Sequence, residues 1–102
     1  MVVDALGRIV AEAPVQENPG LYCTAKDVTF DVDSEELRMI ASASPIGMTL
    51  SPGNTIVTQM NLVNIGNAQI LTIPGEALPN IGYYLKRNMN GEHNFLFGLT
   101  ND

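Results

Sequence analysis

The apolar run Ile70-Leu71-Thr72-Ile73 stops at Pro74-Gly75 and hands the chain on to Glu76, and no other stretch limits the possible folds so tightly. Four residues are too few for a helix. The run also lacks clean alternation, so it reads as a strand covered on both faces, the kind common in parallel sheets. Pro74 has no backbone donor and Gly75 tolerates positive φ, which ends the strand there. Beyond the turn, Leu78, Ile81, Leu85 and Met89 recur at helical spacing and offer one stripe to a sheet. Pro79 suits a first helical turn, where no intrahelical donor is needed. Asn90-Gly91 is a helix stop, and Phe95-Leu96-Phe97 is a second short strand. Strand, helix, strand is a βαβ crossover, expected to be right-handed with parallel strands. Ligands of open α/β sheets gather at the carboxyl ends of strands, and that edge carries Glu76 and residues 98–102. A carboxylate at the start of the helix would also meet free amides and the positive end of the helix dipole.

Upstream, residues 55–63 place Ile56, Met60 and Leu62 on one face of a strand and Val57 and Val63 on the other. Asn64-Ile65-Gly66-Asn67 then turns the chain back, which predicts an antiparallel hairpin with the strand that leads to Glu76. Residues 26–33 alternate, with Val28, Phe30 and Val32 opposite Thr29, Asp31 and Asp33, as a half-exposed strand near a sheet edge would. The expected class is therefore α/β: a small mixed sheet with a β-hairpin followed by a βαβ crossover, and helices packed on the sheet. At the N-terminus Val2, Leu6, Ile9, Val10 and Ala13 form a helical stripe that Pro14 ends. Asp4, Arg8 and Glu12 make its solvated side. Asp33, with Glu36 three residues on, predicts a capped short helix whose buried side is Leu37, Ile40 and Ala41. Residues 42–54, rich in Pro, Gly and Ser, are a loop, and the interspersed Ile46, Met48 and Leu50 need cover.

With 102 residues there is room for one domain, 1–102. Apolar content of 45% against 16% charged residues suits a piece whose faces are covered by something else, either a homo-oligomer or the missing remainder of a larger domain. The net charge of −6 argues against nucleic-acid binding. Cys23 is the only cysteine, which excludes an internal disulfide and a cysteine-rich metal site. No targeting or membrane segment is readable in the chain.

Thr72-Ile73-Pro74-Gly75-Glu76, then Gly82 within the helix, then Phe97-Gly98-Leu99-Thr100-Asn101, together resemble the C-terminal part of the catalytic domain in the neutral/alkaline ceramidase family. The likeness covers about residues 54–102. That family has a strand ending in a Pro-Gly-Glu turn, a helix with a glycine, and a strand ending in Gly-Leu-(Ser/Ala/Thr)-Asn. The resemblance implies a zinc-dependent hydrolase of N-acyl bonds, with Glu76 as one ligand of the catalytic zinc. The family completes its site with two histidines and a catalytic serine from the N-terminal side, and with a tyrosine soon after the Gly-Leu-x-Asn segment. None of these can be placed here: His93 is the only histidine and falls between the helix and the last strand. A catalytic zinc site takes about three protein ligands and an open position. The chain alone is therefore expected to bind no zinc and to be inactive.

Other reactive-looking residues read more simply. Tyr83 and Tyr84 point about 100° apart on a helix, so only one can face the sheet. Ser34, Ser42, Ser44 and Ser51 lie in caps and loops, without the sharp strand-to-helix turn that presents a nucleophile. Asp31, Asp33, Glu35 and Glu36 lack the glycine and distal glutamate of a calcium loop. Apart from the resemblance, Glu76 is a carboxylate at a helix start. The second reading of the chain is a small stand-alone α/β module that acts through oligomerisation or partner binding.

Overall fold

The computed structural model describes residues 1–45 and 50–100. It contains helix α1 (Val2–Glu12), strand β1 (Leu21–Asp31), helix α2 (Glu35–Ala43), strands β2 (Thr55–Ile65) and β3 (Ala68–Thr72), helix α3 (Pro79–Asn88) and strand β4 (His93–Phe97). The four strands form one mixed sheet in the order β1-β2-β3-β4. β1 and β2 pair antiparallel over their full length, β2 and β3 form the antiparallel hairpin, and β3 and β4 are parallel on either side of α3. The α/β class, the hairpin and the crossover are as the sequence predicts.

Gly66 and Asn67 alone separate β2 from β3, a tighter turn than the four residues expected. Gly66 takes φ 57°, the positive first position that a two-residue turn of the II′ kind requires. A side chain there would also run into Oε1 of Gln16. That glutamine ties the segment before β1 to the turn: its Nε2 donates to Asn67 Oδ1 at 2.6 Å, and the Asn67 amide donates to Gln16 Oε1 at 3.1 Å.

β1 is the edge strand, but it begins at Leu21 and ends at Asp31 rather than spanning 26–33. The Gly66 amide donates to Gly20 O at one end, and the Val32 amide to Asn54 O at the other. Both anchors are even-numbered in β1 register, and antiparallel pairs bond at every second residue. The backbone groups of Leu21, Cys23, Ala25, Asp27, Thr29 and Asp31 therefore point to the open edge.

α2 is capped by Ser34, not Asp33. Ser34 Oγ accepts from the Leu37 amide at 3.3 Å. Arg38 secures the corner between β1 and α2, its Nε donating to Val32 O at 2.7 Å and its Nη2 to Asp33 O at 3.3 Å. Of the expected buried side only Ala41 is buried; Leu37 and Ile40 stay exposed. Of the loop residues singled out, Ile46 and Met48 lie outside the described residues, and Leu50 is half-buried.

α3 begins at Pro79, with Leu78 as its N-cap, and lies against β4 where Gly82 faces Leu96. It packs on one face of the sheet, over β4. The opposite face carries Cys23, Val63, Ile70 and Phe95 in one row across all four strands, flanked by Leu21, Ile65 and Ala68 on one side and by Phe97 on the other. None of the described elements lies on that face, so β3 is covered on one side and not on both; Phe95 and Phe97 remain 46% and 49% exposed. α1 contacts no other described element, and its stripe is exposed. The consequence appears in the dimensions. The chain exposes 8198 Å², whereas a compact monomer of 11.0 kDa exposes about 5,600 Å². Its radius of gyration is 18.2 Å, against about 13 Å for a compact chain of this length.

Candidate functional site at the carboxyl edge of the parallel pair

The parallel ladder continues one residue past β3, where the Ile73 amide donates to Phe97 O at 2.8 Å. Pro74 cannot extend it, and the chain turns. The exit of β4 then folds over this turn. The Leu99 amide donates to Gly75 O at 3.2 Å, and Thr100 returns to Ile73 O through its amide at 3.3 Å and its Oγ1 at 3.0 Å. Leu99 adopts φ 53° to make this bend. Gly98 permits the approach, because a Cβ on it would stand 2.9 Å from Gly75 O and 3.8 Å from Glu76 Cα. The Pro-Gly-Glu turn and the Gly-Leu-Thr exit are thus in direct contact.

Glu76 is exposed, and among the described residues its carboxylate has no ion pair and no hydrogen bond. It stands two residues before the Leu78 N-cap, not in the first turn of the helix as the sequence suggests. The reason lies in Pro79, which forces the residue before it into an extended conformation, and Leu78 has ψ 150°. The free amides of α3 therefore begin too late to hold this carboxylate.

Two open hollows meet at Glu76. One, of about 410 Å³, is lined by Glu76, Leu78, Tyr83, Lys86, Leu96 and Leu99 among others. The other, of about 450 Å³, lies between β1 and α3 and is almost entirely apolar, with Val28, Phe30, Met60, Ile73, Ile81 and Leu85 in its walls. From sequence Tyr83 reads as a packing or surface residue, and Lys86 is not singled out. Their signal was present in the helical spacing of Gly82, Tyr83 and Lys86, which puts them on the flank of α3 beside Glu76.

The other reactive residues stay apart. His93 opens β4 at the opposite end of the sheet, about 13 Å from Phe97 at the rise of a strand. Its Nε2 is 3.8 Å from Glu92 Oε1 on the surface. Cys23 is exposed on the uncovered face. Ser34 is a cap, and Ser42 Oγ donates to Met39 O at 2.9 Å. Tyr84 is exposed and lines neither hollow. Among the described residues no three His, Cys, Asp or Glu side chains come together as a metal group would require, so this donor set does not by itself fit a zinc ion. No helix among them is long and apolar enough to cross a membrane.

Fold and site together define a mixed α/β sheet that, among the described residues, presents the unpaired Glu76 at its carboxyl edge. Compared with models of protein families, with characterised proteins and with solved structures, the chain matches none.

Proposed function

We propose that this chain is the C-terminal part of the catalytic domain of a ceramidase-like, zinc-dependent amide hydrolase, in which Glu76 contributes one carboxylate oxygen to the metal. The observation that carries the reading is the unpaired, exposed Glu76 held by the Pro74-Gly75 turn against the Gly98-Leu99-Thr100 exit. Among the described residues no ion pair occupies its carboxylate oxygens, which leaves them accessible to a ligand. When bound in such a site, zinc activates water for attack on an acyl carbon. The role of this chain is narrower: it fixes the position of one oxygen on a rigid strand end and leaves the remaining ligands to the rest of the domain. The N-acyl bond hydrolysed, the metal and the missing partner segment all belong to that complete domain.

The test has two arms. The coding sequence on either side of this segment should supply two histidines upstream and a tyrosine soon after Asp102. In the complete protein, Glu76→Gln should release zinc and abolish hydrolysis. Zinc bound tetrahedrally at micromolar or tighter affinity by this chain alone would contradict an incomplete site.

A second reading, a module that works by association, is favoured by a separate observation: the surplus of about 2,600 Å² over a compact monomer.

A further inference from the structure

Two apolar surfaces that no described element covers occur in the same chain. The first is α1, an 11-residue helix with Val2, Leu6, Ile9 and Val10 on one stripe, no side-chain cap and no contact with any other element. Isolated helices of this length are marginal in water, and their stability comes from an apolar face laid on something. The second is the bare sheet face, where the row Cys23-Val63-Ile70-Phe95 crosses four strands and Ile65 and Phe97 flank it. No charged side chain interrupts those rows between β1 and β4 until Asp27, with His93 at the rim. A sheet flanked by helices on both faces is the stable α/β arrangement, and here the second layer is missing.

Among the described residues the chain does not supply that layer to itself, and the linker to α1 is short. Gln16 is pinned to the β2–β3 turn by its two hydrogen bonds with Asn67. Between that pin and Glu12 stand only Ala13, Pro14 and Val15. Pro14 holds Ala13 extended, at φ −66° and ψ 132°, and α1 makes no contact with another described element.

We propose that a second copy of this chain closes the fold by exchange: α1 of each copy lies across the bare sheet face of the other, in a two-fold dimer. Reciprocal exchange covers both surfaces in both copies and leaves no open patch to propagate. The area agrees. The surplus of about 2,600 Å² per chain is more than the roughly 800 Å² per partner that a standard interface buries. The exchange does not depend on Glu76, so its failure and the failure of the zinc reading are separate events.

Sedimentation equilibrium of the intact chain should give twice the mass of the 11.0 kDa monomer. Leu6→Glu together with Ile9→Glu should halve the observed mass, and because α1 touches no other element, its own sheet should keep its strand signal in circular dichroism. Ile9→Cys, paired with the native Cys23 and a short bis-maleimide, should give a covalent dimer on a denaturing gel in yield above that of the unsubstituted chain. A monomer at all concentrations, a dimer unmoved by the glutamates, or a cross-link confined to one chain would each overturn the exchange.

Discussion

The amide of Leu99 and the carbonyl oxygen of Gly75 meet at 3.2 Å, joining the exit of the last strand to the turn that carries Glu76. Without that bond the acid would sit on a free loop. With it, and with Thr100 bonded to Ile73 O, the turn is held from both sides, so the backbone position of Glu76 is set by the sheet.

Gly98→Ala tests that arrangement. The added methyl would stand 2.9 Å from a backbone oxygen that cannot rotate away, so the turn or the strand exit must move. Equilibrium unfolding in urea should show a loss of about 1–3 kcal/mol, the usual range for overpacking.

Glu76→Gln should leave stability unchanged within about 0.5 kcal/mol, as substitutions at exposed, unpartnered positions do. The same denaturant midpoint for both proteins would fit an acid that the fold does not use. A clear loss would reveal a structural partner.

Gly82→Ala should be tolerated. A Cβ at this position would lie 3.7 Å from Leu96 Cδ2, an ordinary contact, and alanine favours the helix over glycine by about 0.5–1 kcal/mol. The melting temperature should rise slightly. A fall would mean that α3 approaches β4 more closely than that.

Ser34→Ala removes the side-chain acceptor of the Leu37 amide and should cost about 1 kcal/mol. Asp33→Ala, the cap that the sequence suggests, should cost less. Helical signal in circular dichroism across a thermal scan ranks the two.

The crossover was legible because each of its parts carries a local signal: Pro74-Gly75 ends one strand, Pro79 opens the helix, and Asn90-Gly91 follows close on its end. The start of β1 was not. Leu21-Tyr22-Cys23-Thr24-Ala25 shows no polar alternation, since both faces of the sheet are apolar or neutral at that end, and alternation was the signal sought. The cap of α2 was misplaced by one residue because Asp33 and Ser34 are both good caps, and only the register of the helix decides between them. For the site, the turn and its contact with residues 98–100 follow from chain order, whereas the neighbourhood of Glu76 does not. Leu78 had to be seen in its extended conformation before it was clear that α3 starts too late to hold the acid. No local pattern could show that α1 and one whole sheet face lack cover, because an apolar stripe reads the same whether or not a surface lies beneath it.

The outer rail of β1 has a practical consequence for anyone who handles this protein. Six residues there hold out unused donors and acceptors, and Lys26, Asp27 and Asp31 are the side chains along β1 that discourage another strand from zipping on. Neutralising them with apolar residues should turn a tidy solution into ribbons that grow from edge to edge.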